Sequence, residues 1–343
     1  MRIAIYNPYL DTLGGGERYT MAFARVAAEV GYKVDIEWID PLIGKKLEER
    51  FGLDLKEINF VPDIKRGDGY EVCFWVSDGS IPTLLARKNL LHFQVPFKDV
   101  GGRTLLNKFK LFRINKIICN SYFTKKFIDK EYGVESIVIY PSVDTQKIKP
   151  KRKENIILYV GRFSTLGQSK NQDILINSFK RLVKNPVFSE WRLVLAGGAE
   201  VGATDEYLAL LKKKIQGFPI ELVLGPSYKE IISLYGRAKI FWSAAGYGVN
   251  EEKEPQKVEH FGITLVEAMS AGCVVIVFKA GGFKEIIEDD KNGYLWDNPR
   301  KLIKLTQKVL DSSILARNIA KSARASAQQF SYERFSKEIL QIL

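Results

Sequence analysis

Histidine and cysteine are scarce in this chain of 343 residues, with two of the first and three of the second. Cys73, Cys119 and Cys273 each lie inside an apolar run with no paired spacing, which excludes a disulfide framework and a cysteine-held zinc site and fits a reducing compartment. Long hydrophobic runs are missing too. No stretch reaches the roughly 20 apolar residues that span a bilayer, so a soluble or peripheral protein is expected. The chain opens directly on the strand-like MRIAIY, and no signal peptide is expected before the fold. The sequence also lacks H-E-x-x-H, G-x-S-x-G, a Walker loop and D-x-D. Those absences argue against a zinc protease, an α/β-hydrolase, a P-loop enzyme and a transferase that clamps its substrate through a metal.

What the chain does have is positive charge. Lysine and arginine exceed the acids by 12, on an otherwise ordinary globular composition of 46% hydrophobic and 27% charged residues. An excess of that size favours phosphates, nucleic acid or acidic lipid without choosing among them. At this length two domains are the default. Short apolar runs at 2–7, 33–39, 71–78, 89–95, 116–121 and 136–141 read as buried strands, with a helical spacing over 18–31. The pattern restarts at 156–163 and continues at 192–198, 220–225, 239–245 and 273–278. Buried strands separated by helices imply parallel sheets covered on both faces. The fold class is therefore α/β, with two doubly wound Rossmann-like domains facing a central cleft. The expected domains are 1–150 and 151–325, joined by the charged stretch 141–155, with a helix at 326–343 that crosses back onto the first domain. Such sheets bind ligands beyond the carboxyl ends of their strands, so the loops there are where chemistry is sought.

Three segments stand out. Glu259 and Glu267 are eight positions apart around Gly262, Ile263 and Thr264. A helix starting near Gly262 would leave its first amides free for an anion, with Glu267 one turn in for a ribose diol and Glu259 before the helix, near a sugar. Two solvated glutamates would look the same in the sequence. Arg162 and Lys170 flank a Gly/Ser/Thr-rich loop after a strand, a suitable clamp for a diphosphate, although two surface cations are the plainer alternative. Gly14, Gly15 and Gly16 follow the first strand, where glycines let amides approach a phosphate or sugar. The run fails as a dinucleotide fingerprint because it lacks the G-x-G-x-x-G spacing. His92, at the end of a strand, is a candidate for holding a reacting hydroxyl or its proton.

GGGER, CNSYFTKKFI, IYPSVD, YVGRF with SKNQD, LAGG, EHFGITLVEAMSAG, KAGGFKEII and NGYLW together resemble the retaining family 4 glycosyltransferases of GT-B architecture, over nearly the whole chain. GGGER with EHFGI is similar to the branch holding lipid-linked oligosaccharide α-mannosyltransferases. The resemblance implies a metal-independent hexosyltransferase with no cofactor, acting between a nucleoside diphosphate sugar and a glycan or lipid-linked acceptor. It implies that Arg162 and Lys170 bind the diphosphate, Glu267 the ribose and Glu259 the transferred sugar. Amides at Gly262, Ile263 and Thr264, with Gly15 and Gly16 opposite, would complete the pocket. Relatives in that branch carry a functional histidine two positions before a proline. Here Gln94 stands there, before Pro96, and His92 lies two residues earlier, so either is a candidate. The alternatives are a sugar-nucleotide epimerase or phosphorylase on the same fold, or a basic nucleic-acid-binding protein, which would leave the two glutamates unexplained. A cytoplasmic protein at the inner face of the membrane is expected. The stretch from Arg103 to Lys130 holds eight cations against the single acid Asp129, with Leu105, Phe109 and Phe112 three or four apart inside it. One face of a helix there would suit an anionic membrane surface, unless those apolar residues pack in the first domain's core.

Overall fold

The computed structural model describes residues 1–164, 167–168, 170–199 and 203–343. The chain divides into two compact units, one formed by Met1–Ser142 with Tyr332–Leu343, the other by Val143–Ser331.

In the first unit the elements run β1 (Arg2–Tyr6), α1 (Gly15–Glu29), β2 (Lys33–Glu37), α2 (Ile43–Phe51), β3 (Ile58–Val61), β4 (Val72–Val76) and β5 (Lys88–Phe93). Then come α3 (Leu105–Leu111), β6 (Lys116–Cys119), α4 (Tyr122–Tyr132) and β7 (Ile137–Val138). The second unit has β8 (Glu154–Val160), α5 (Gln172–Leu182), β9 (Arg192–Gly197), α6 (Asp205–Ile215), β10 (Ile220–Leu224), α7 (Tyr228–Arg237) and β11 (Ala238–Ser243). It continues through α8 (Ile263–Ser270), β12 (Val274–Phe278), α9 (Phe283–Ile286), β13 (Tyr294–Trp296), α10 (Pro299–Asp311) and α11 (Ser313–Ala327). The last helix, α12 (Tyr332–Leu340), belongs to the first unit.

All strand pairs are parallel, in the orders β3-β2-β1-β4-β5-β6-β7 and β10-β9-β8-β11-β12-β13. The central strands are apolar on both faces because helices cover both. In β8, Ile156, Ile157, Leu158 and Tyr159 are all buried, as are Val274 to Val277 in β12. One core joins α1 (Tyr19, Phe23) to β4 (Phe74) and to Phe335 and Ile339 of α12. The other gathers Phe179, Leu195, Trp242 and Trp296. Helix ends follow local chemistry. Ser121 and Ser227 cap α4 and α7 by accepting amides of the first turn, and Gly133 ends α4 in the left-handed region.

Three expectations need correction. The boundary falls between Ser142 and Val143 rather than near 150. Residues 141–155 are not a free linker either. Val143 forms a parallel bridge with Ser331, Ile148 is buried, and Glu154 already starts β8. The charge of that stretch misleads because Val143 and Ile148, few as they are, both point inward. Likewise the final helix starts at Tyr332 rather than 326, where α11 is still running. Among the described residues no helix is long and apolar enough to cross a membrane.

Candidate donor site

Each sheet has one point where the strand order reverses, between β1 and β4 and between β8 and β11. A crevice opens at the carboxyl ends of such a pair because the two connections leave on opposite faces. In the second unit both segments singled out in the sequence exit there. Arg162 and Lys170 follow β8, and Glu259 to Thr264 follow β11.

Local hydrogen bonds fix these exits. Gln172, wholly buried at the start of α5, donates from Nε2 to the Arg162 carbonyl at 2.8 Å and accepts from the Tyr207 hydroxyl at 2.7 Å. Asn171 donates to the carbonyls of Ala244 and Tyr247 at 3.0 and 3.3 Å, tying the loop after β8 to the loop after β11. The backbone of Glu259 is clasped by the glycines after β12. Gly282 N–H donates to the Glu259 carbonyl at 2.8 Å, and a Cβ on Gly281 would stand only 2.0 Å from that oxygen. Gly262 then turns the chain into α8 with φ of 115°, a left-handed conformation that favours glycine. The amides of Gly262, Ile263 and Thr264 have no hydrogen-bond partner among the described residues, and α8 lacks a side-chain cap. They form a ready anion cradle at the positive end of the helix.

Lys170 Nζ lies 2.9 Å from Glu259 Oε2, with a second bond to Gln168 Oε1 at 2.9 Å. Burial of the Glu259 carboxyl raises its pKa, but Lys170, and after it His260 and Arg162, outweigh that and hold it below the ordinary value. Glu259 is thus ionised at neutral pH inside a cationic pocket. Arg162 makes no ion pair among the described residues, which leaves its guanidinium available to a diphosphate. Glu267 sits on the second turn of α8, 5% exposed, and accepts a hydrogen bond from the Tyr235 hydroxyl at 2.9 Å. The described residues contain no group of three histidine, cysteine or carboxylate side chains placed to hold a metal ion. The sequence reading missed Tyr235, Gln172 and the Gly281–Gly282 clasp. SKNQD and KAGG were visible as motifs, but only the fold shows what their side chains and amides hold.

In the first unit, Gly15 and Gly16 open α1, and their amides have no partner among the described residues. Glu17 closes the turn by accepting from Gly14 N–H and Thr12 Oγ1, each at 2.7 Å. Gln94 Nε2 donates to the Gly16 carbonyl at 3.1 Å, while Asn120 donates to the Gln94 carbonyl at 3.0 Å. His92 is different. It lies inside β5 rather than beyond it, with no exposed surface, stacked on Tyr19 at 4.1 Å between ring centres and on Phe74 at 5.4 Å. Its ring nitrogens make no well-formed hydrogen bond among the described residues, and burial, opposed only by a weaker contact with the Ile118 backbone, pushes its pKa down to about 3. The structure therefore does not place His92 where a substrate reaches it. Side chains two apart on a strand share a face, and α1 covers that face at His92. Gln94, one pleat further toward the carboxyl end, comes out beside the α1 N-terminus.

Comparison with known proteins agrees with this architecture. The family model "Glycosyl transferases group 1" matches residues 142–326, more than half of the chain. The uncharacterized glycosyltransferase MJ1178 of Methanocaldococcus jannaschii is 26% identical over 245 residues, 69% of this chain and 61% of that protein. The GDP-Man:Man(3)GlcNAc(2)-PP-Dol alpha-1,2-mannosyltransferase of Dictyostelium discoideum is 25% identical over 231 residues, 62% of this chain and 43% of that protein. The chain thus spans less than two thirds of the length of either relative. The crystal structure of Anabaena HepE with UDP-glucose superposes with a TM-score of 0.77 at 18% identity, covering 99% of this chain and 98% of that one, a likeness of fold. With a GT-B pair of parallel sheets and a family match across the second, the chain belongs to the glycosyl transferases group 1 family.

Proposed function

We propose that the protein is a retaining hexosyltransferase that takes a mannose- or glucose-type sugar from a nucleoside diphosphate and places it on a hydroxyl of a glycan or lipid-linked acceptor. The observation that carries this is the convergence, at the β8/β11 exit, of Arg162, the Lys170–Glu259 pair and the unpartnered amides of Gly262 to Thr264. Cations and helix amides suit a diphosphate, and a fixed carboxylate among them suits sugar hydroxyls.

In the reaction, the acceptor hydroxyl oxygen bonds to the anomeric carbon on the face that the diphosphate leaves. The anomeric C–O bond breaks with its electron pair going to the diphosphate, and the hydroxyl proton passes to the leaving phosphate oxygen. Arg162, Lys170 and the α8 amides stabilise the charge that grows on the diphosphate, usually the largest catalytic contribution. Glu259 positions the hexose and Glu267 the ribose. In the first unit, Gln94 and the amides of Gly15 and Gly16 are the groups assigned to the substrate, in place of His92. Since cations do this work, turnover is expected to need no divalent metal and to survive a chelator.

The Dictyostelium relative carries GDP-Man and PP-Dol in its name, and the Anabaena structure holds UDP-glucose, so both bases belong in the test. GDP-mannose, UDP-glucose and ADP-glucose are incubated with the protein, with and without a glycan acceptor and with a chelator present, and products are followed by proton NMR. Acceptor-dependent release of nucleoside diphosphate, with an α-linked product from an α-linked donor, is the expected result. Isomerised donor without acceptor would mean an epimerase, and release only in the presence of inorganic phosphate would mean a phosphorylase.

A further inference from the structure

α3 has no buried side chain. Leu105, Leu106, Phe109 and Phe112 are 74%, 63%, 71% and 86% exposed, a contiguous apolar face of the kind that marks an interaction surface. The helix is held mainly at its ends, where its last residue, Leu111, packs against the core of the first unit. Thr104 caps it through the Asn107 amide at 3.2 Å. The loop before it hangs from α4, where Glu131 accepts the amides of Asp99, Val100 and Gly102 at 2.9, 3.0 and 3.0 Å. Arg103 adds two bonds to the Lys130 carbonyl, and at the far end Arg113 donates to the Leu84 carbonyl at 2.7 Å. A helix secured at both ends, with Leu111 packed inward and its other apolar side chains uncovered, is fixed in a presenting position.

Charge selects what it meets. Lys108 and Lys110 extend from the same helix, Lys116 follows it, and no acid occurs between residues 100 and 128. A second copy of this surface would bring like charge against like. The α4 part of the stretch flagged in the sequence drops out, since Lys125 is tied to Asp129 and to the Ser136 carbonyl, while Phe123 and Phe127 are buried.

We propose that α3 docks the protein on an anionic lipid surface, its leucines and phenylalanines entering the headgroup–acyl boundary while Lys108 and Lys110 pair with lipid phosphates. The proposal deepens the reading of a lipid-linked acceptor and rests on it for its purpose, but its test does not use turnover. The full chain is sedimented with phosphatidylcholine vesicles, with or without phosphatidylglycerol. Retention is expected only with phosphatidylglycerol, weakening as salt is raised. Lys108→Gln with Lys110→Gln should lower the partition coefficient roughly 30-fold, at about fivefold for each lysine. Phe109→Ser with Phe112→Ser should lower it at least about tenfold. Wild-type melting and nucleoside diphosphate binding in both double variants keep the fold and the donor site out of the result. No retention, equal retention on neutral vesicles, or retention indifferent to both pairs of changes would overturn the proposal. So would a concentration-dependent dimer abolished by Phe109→Ser, which would show that another copy covers the face.

Discussion

Lys170 Nζ and Glu259 Oε2 form a 2.9 Å ion pair whose two side chains are 13% and 18% exposed. Each is the other's counter-charge inside the donor site. Under the proposed function, a diphosphate reaching Lys170 competes with Glu259, and a sugar that engages Glu259 relieves that competition. The intact donor should therefore bind more tightly than the bare nucleotide.

The two sides of the pair should fail differently. Lys170→Met removes a charge-assisted partner and should weaken binding of bare nucleoside diphosphate roughly ten- to hundredfold. Glu259→Gln should leave that affinity equal or tighter, while sharply lowering turnover of the intact sugar donor. Calorimetry and initial rates on the same preparations check both. Equal losses of nucleotide affinity in the two variants would separate Glu259 from the sugar.

The Tyr235 hydroxyl donates to the Glu267 carboxylate at 2.9 Å, the pair to which the proposed function gives the ribose. Glu267→Ala should weaken bare nucleotide, unlike Glu259→Gln. Tyr235→Phe frees the carboxylate to reorient and should give a smaller loss of about 0.5–1.5 kcal/mol, the net worth of one hydrogen bond. Deoxyribose nucleotides serve as the control. A Glu267→Ala variant that still distinguishes ribose from deoxyribose would exclude that contact.

Of the two candidates that the sequence left open, His92 is enclosed within β5 and Gln94 reaches the start of α1. Gln94→Ala should lower turnover by at least about tenfold, because Gln94 orients the Gly16 backbone. His92→Phe should stay active and should instead alter acid stability. The folded imidazole, with a pKa near 3, resists a proton that the unfolded one accepts from 6.5 downward. Protons bind more to the unfolded state across that window, so stability falls as pH drops from 6.5 toward 3. Between about pH 7.5 and about pH 5 the wild type should lose about 2 kcal/mol that His92→Phe keeps. Denaturant midpoints at the two values measure it, and identical pH slopes would contradict the assignment.

Gly262→Ala tests the cradle without touching a charge. At φ of 115°, and with the Phe283 ring 2.7 Å from an added Cβ, alanine should cost about 1–3 kcal/mol of stability and displace the α8 amides. Melting and nucleotide affinity should fall together. Unchanged affinity in a folded variant would remove these amides from the site.

Much of this was readable in the sequence because parallel strands buried on both faces leave unbroken apolar runs. β8 and β12 are such runs. β13 is only three residues long, and β3 has a single buried residue, Ile58, in four. Neither leaves a run to read. Arg162, Lys170, Glu259 and Glu267 were legible through the motifs they share with family 4 glycosyltransferases, since by charge alone they read as solvated side chains. Their pairing was not, since Lys170 and Glu259 are 89 positions apart. His92 misled because its position in a strand says nothing about depth, which here is set by Tyr19 of α1 stacking over it.

Titration of GDP, UDP and ADP into the wild type and into Arg162→Ala by calorimetry, with chelator present, probes the donor site most directly. One nucleoside diphosphate should bind saturably to the wild type, and Arg162→Ala should weaken it by roughly tenfold or more while melting stays normal. Binding of none of the three, or the same affinity in a folded Arg162→Ala, would contradict a diphosphate clamp at the β8/β11 exit.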